Sequence, residues 1–108
     1  MDITGLSERL GLDEDEFLEL VELFLEIGAT DLGQLEMAVQ KEDIEEVVKS
    51  SHSIKGASGN LGFTEIYEVA KGVEFNARQN NLDGANEAVG IIKKHLDRIA
   101  EDLQTGSA

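Results

Sequence analysis

The chain reads as an all-α protein, an antiparallel up-and-down four-helix bundle with a short additional helix at its N-terminus. Three observations predict this. There is no proline in 108 residues, so no segment carries an obligatory helix breaker. Leu, Glu, Ala, Val and Lys are abundant while aromatics make up only 5%, a balance that favours helix over strand. Apolar side chains recur at spacings of three and four along nearly the whole length, the pattern of helices with one buried stripe. With 41% apolar residues the chain can build one compact core. Residues 1–104 are therefore expected to form a single domain, with 105–108 as a frayed C-terminal tail.

Met1 to Leu12 forms a short opening helix with Ile3, Leu6 and Leu10 on one side. Asp13 is a good N-cap, and Glu16 three residues later completes a capping box. From there a helix about 40 Å long, at 1.5 Å per residue, runs to Gln40. It buries Phe17, Leu20, Val21, Phe24, Leu32, Leu35 and Val39, with Gly28 on the stripe and Gly33 off it. Asp43 caps a third helix that ends at Leu61-Gly62, where glycine suits a left-handed C-cap. Its stripe is Ile44, Val47, Ile54 and Leu61, with Ser51 and Ser58 as small fillers. A fourth helix covers Thr64 to Gln79 with Ile66, Ala70, Val73 and Ala77 inward and Tyr67 at the core boundary. Asn80-Asn81 makes a turn, and Asp83 is the expected cap of a last helix burying Ala85, Val89, Ile92, Leu96, Ile99 and Leu103.

Composition removes several classes of function. The absence of cysteine excludes disulfides, Cys-based zinc sites and thiol chemistry, and fits a reducing compartment. No basic segment followed by an apolar run opens the chain, and Glu19, Glu22 and Glu26 interrupt its densest apolar stretch. A cytoplasmic location is expected. A formal charge of −14 disfavours nucleic acid and anionic membranes as partners. A carboxylate-bridged metal bundle needs Glu-x-x-His pairs, yet Lys49 precedes His52 by three residues and Ile92 precedes His95, so no metal site is expected. His95 reads as a peripheral histidine.

His52 stands apart. It projects roughly 130° from the middle of its helix's apolar stripe, so it faces water. Around it on the helix surface lie Glu45, Val48, Lys49, Lys55, Gly56 and Gly59. Lys55 can swing its ammonium to the imidazole or to a group attached to it. Gly56 and Gly59 leave a bare strip, although glycine in an exposed helix costs about 1 kcal/mol relative to alanine. Two such residues beside a histidine point to the close approach of another surface, with Val48 and Lys49 as further contacts. A solvent-facing imidazole offers one nitrogen lone pair as nucleophile, and a nearby ammonium would stabilise a phosphoryl group placed on it. The chain has no Gly-rich nucleotide loop and no acidic triplet for magnesium beside His52. Phe75 lies off its helix's stripe, open either to a partner or to cover by the N-terminal helix.

Ser51 to Glu74 resembles the signature of histidine-containing phosphotransfer (HPt) domains. The string is His52, Lys55, Gly56, Ser58, Leu61, Gly62, Ile66, Val73 and Glu74, with Ile54, Ile66 and Val73 where leucine is more usual. The resemblance implies that His52 is phosphorylated and exchanges the group with an aspartate of a response-regulator receiver domain, or receives it from a histidine kinase or hybrid kinase. Lys55 would orient and neutralise the phosphoryl group, and Gly56 would admit the partner. It implies a carrier rather than an enzyme, with Mg2+ supplied by the receiver. The missing nucleotide loop leaves no kinase or ATP site of its own to expect, and the closed five-helix layout leads to the expectation of a monomer. The alternative is an acidic helical adaptor that binds a partner without phosphotransfer.

Overall fold

The computed structural model describes residues 1–105 and contains five helices and, among those residues, no strand. They are α1 (Ile3–Leu10), α2 (Glu14–Gln40), α3 (Ile44–Leu61), α4 (Thr64–Arg78) and α5 (Ala85–Thr105). Thr105, expected in the tail, is still helical, while 106–108 lie outside the described residues. α3 packs on α2 and α4, α5 packs on α2 and α4, and α1 packs on α2. None of these helices is long and apolar enough to cross a membrane.

Local chemistry sets the helix ends. The Asp13 side chain accepts from the Glu16 N–H while the Glu16 side chain accepts from the Asp13 N–H, so the capping box forms as expected. Asp43 caps α3 through the Glu46 N–H. α1 is shorter than its apolar pattern, because Asp2 caps its start and Gly11, at φ +71°, closes its end. Gly62 ends α3 at φ +83°, its N–H donating to the Gly59 carbonyl and that of Phe63 to Ser58. Asp83 does not cap α5. Helix α5 begins at Ala85 after Gly84 at φ +78°, and the Asp83 N–H instead donates to the Asn81 side chain.

The core joins Phe17, Val21, Phe24 and Leu35 of α2 to Val47 and Ile54 of α3, Ile66 and Ala70 of α4, and Ile92 of α5. Phe24 and Phe63 meet with ring centroids 5.1 Å apart. Two expected core positions are at the surface: Leu20 is 40% exposed and Leu10, next to the Gly11 cap, 39%. Leu20 falls on the edge of a stripe that Phe17, Val21, Phe24 and Gly28 fill, and Leu103 is only half-buried. At Gly28 the Leu96 methyls lie 3.5 Å from where a Cβ would stand, so α2 and α5 approach closely there with room for a methyl. Ser51 and Ser58 are fully buried and donate to the carbonyls of Val47 and Ile54, four residues back. They let α3 pack tightly without an orphaned hydroxyl.

Candidate functional site

The site is built across α3 and α4. His52 leaves α3 on the side away from the core, and its side chain is 63% exposed. Its neighbours anchor this turn to the rest of the bundle. Ser51 is buried against the core, and the Ser53 hydroxyl donates to Asp31 of α2 at 2.6 Å. The imidazole is therefore carried on a helix tied to both flanking helices.

Glu74 organises what surrounds it. This carboxylate is only 5% exposed, at the α4 edge that faces His52. Its Oε2 accepts from His52 Nδ1 at 2.9 Å and from Arg78 Nη2 at 2.7 Å, and its Oε1 pairs with Lys55 Nζ at 2.7 Å. Burial alone would raise the Glu74 pKa. The hydrogen bonds from Lys55, Arg78 and His52 outweigh that and bring it from 4.5 down to about 2. A carboxylate so held is an acceptor only, so the shared proton sits on Nδ1. In the neutral imidazole this leaves the lone pair on Nε2, the nitrogen turned away from Glu74.

The residues singled out in the sequence divide into groups. His52, Lys55 and Gly56 share one face as expected, but Lys55 meets the imidazole through Glu74 rather than directly. Nothing lies within 4 Å of where a Gly56 Cβ would project, so this glycine answers no packing demand inside the protein. Gly59 differs. The Tyr67 ring stands 3.0 Å from its missing Cβ, so the bare strip expected from Gly56 to Gly59 is interrupted there by α3–α4 packing. Lys49 is exposed and Val48 is half-buried against the core edge. His95 is remote from the site, with Glu65 at 4.0 Å. Phe75 is 64% exposed, so the N-terminal helix does not cover it.

Sequence reasoning did not assign a role to Glu74 or Arg78. A signal was present, because Glu74 lies four residues after Ala70 and eight after Ile66, on the edge of the buried stripe of α4. A carboxylate in that register needs partners, and Arg78 one turn later supplies one. Among the described residues no group of three or more His, Cys, Asp or Glu side chains is placed to hold a metal ion.

The chain and its fold have counterparts among known proteins. Residues 19–102 match the Hpt domain family. No curated protein matches the chain. Among solved structures it is similar to histidine-containing phosphotransfer protein B (HptB) from Pseudomonas aeruginosa PAO1. That match has a TM-score of 0.83 and 24% identity, and covers 94% of this chain and 89% of the other. At that identity the likeness establishes a shared fold. The family match extends over most of the sequence and contains His52, Lys55, Gly56 and Glu74: the chain belongs to the Hpt family of phosphotransfer domains in two-component signalling.

Proposed function

We propose that the protein is a phosphorelay phosphocarrier whose His52 Nε2 accepts a phosphoryl group from an aspartate of a receiver domain and returns it to one. The observation that carries this is the Nδ1 contact with Glu74, which leaves Nε2 as the free, solvent-facing nucleophile. In the forward step the Nε2 lone pair attacks the phosphorus of the aspartyl phosphate. A P–N bond forms, the P–O bond to the aspartate breaks, and the carboxylate leaves with its electron pair. The Nδ1 proton stays in place, and the positive charge that develops on the ring is balanced by Glu74 at 2.9 Å. Lys55, held at 26% exposure beside Glu74, adds positive charge for the phosphoryl oxygens, and Gly56 admits the partner's backbone.

The reading includes a partner that brings the Mg2+ and the reacting carboxylate, a histidine or hybrid kinase upstream, and a monomeric cytoplasmic carrier. It also takes α2 to α5 as an antiparallel up-and-down bundle, supported by the mutual packing of α2 with α3, α3 with α4, α4 with α5 and α5 with α2 through short connections. Incubation with a receiver whose aspartyl phosphate carries the radiolabel is expected to give acid-labile, alkali-stable labelling that His52→Gln abolishes while the helical circular dichroism is unchanged. Undiminished labelling of H52Q overturns the assignment, and an adaptor without transfer would show no labelling in either protein.

A further inference from the structure

On the outer face of α4, next to the Glu74 cluster, runs a groove of about 430 Å³ whose walls include Lys55, Lys71, Phe75 and Arg78 and whose floor is opened by Gly72. Two independent features of it are out of character for this protein. The first is charge. The chain carries nine lysines and arginines against 23 acidic residues, yet three of the nine border this one groove, which with Glu68 and Glu74 comes to a net charge of +1. The second is apolar shape. Phe75, at 64%, is the most exposed of the large apolar side chains among the described residues. Gly72, one turn earlier and in mid-helix, has nothing within 4 Å of where its Cβ would be. A mid-helix glycine with open space costs about 1 kcal/mol against alanine and serves no internal packing. Here it makes a hollow beside an aromatic wall.

We propose that this groove binds an acidic segment of a partner protein, which inserts one apolar side chain over Gly72 against Phe75 while its carboxylates meet Lys71, Arg78 and Lys55. The site does not require that His52 transfer a phosphoryl group, so it goes beyond the proposed function. Charge complementarity selects the occupant: an anionic segment escapes the repulsion that the rest of a −14 surface imposes only where cations gather. The exposed ring supplies the short-range affinity that charge alone lacks. Because Lys55 and Arg78 also hold Glu74, an occupant drawing on them would be sensed by the carboxylate that orients His52.

Amide chemical-shift mapping on the labelled protein tests this with a short synthetic peptide of glutamates around one tryptophan, beside its glutamine counterpart. The expected result is saturable shifts confined to α4 and Lys55, with binding weakened about tenfold by Phe75→Ala and again by Lys71→Glu. The glutamine peptide should bind far more weakly, and H52Q should still bind the glutamate peptide saturably at the same groove, which separates this result from the fate of the phosphocarrier reading. No saturable shift at millimolar peptide overturns the proposal. So do shifts centred elsewhere, or equal binding of the two peptides.

Discussion

Replacing Glu74 by Gln is the sharpest test of how the site works. The substitution keeps the shape of a side chain that is 5% exposed but removes the charge that Lys55, Arg78 and His52 all address. A carboxyl brought from 4.5 to about 2 prefers its ionised form by about 3 kcal/mol more in the folded protein than in the unfolded chain, an upper figure for what the cluster loses. The share that falls on His52 is that of one charge-assisted hydrogen bond, about 1.5–3 kcal/mol. If that bond both fixes the Nδ1–H tautomer and balances the ring charge during transfer, E74Q should slow phosphotransfer about 10- to 100-fold. The assay is the single-turnover rate of label transfer from a phosphorylated receiver, read with the ring-nitrogen chemical shifts of His52. The parent should show the proton on Nδ1 and E74Q a mixture of tautomers. Transfer within twofold of the parent, with the tautomer unchanged, would refute the positioning role of Glu74.

The same carboxylate gives a pH prediction. Its folded pKa lies below its unfolded one, so its contribution is complete above about pH 4.5 and disappears as pH falls toward 2. Urea midpoints should therefore drop over that window by more in the parent than in E74Q. Gly56→Ala meets open space and should raise thermal stability by up to about 1 kcal/mol while slowing transfer to the receiver. Gly59→Ala should yield no such gain, since the Tyr67 ring at 3.0 Å has to move; a calorimetric comparison decides. Gly28→Ala should stabilise by a similar amount, up to about 1 kcal/mol, because its Cβ would meet Leu96 at an ordinary 3.5 Å.

How much of this was legible in the sequence depended on whether a feature was local. The caps at Asp13 and Asp43 and the left-handed Gly62 follow from residues within one turn of each other, and they appear where the sequence puts them. So do the buried serines of α3, whose hydroxyls need only their own helix. The outward turn of His52 was equally local, a matter of counting rotation along α3. What one helix could not disclose is what the facing helix brings. Gly59 looked like Gly56 on the wheel of α3, and only the arrival of Tyr67 from α4 separates a packing glycine from a bare one. Lys55 looked like the partner of His52 because both belong to the same helix, yet the group that joins them comes from 22 residues beyond His52. Glu74 was nevertheless visible in principle. Most acids of α2 and α3 lie on solvent faces or at caps, while Glu74 occupies the edge of an apolar stripe with a cation one turn later. A buried carboxylate has to be matched by donors, and the exposed histidine and lysine on the neighbouring helix were the donors still to be placed. Reading the two anomalies together, an acid turned inward on one helix and a histidine turned outward on the next, leads to the site that neither reveals alone.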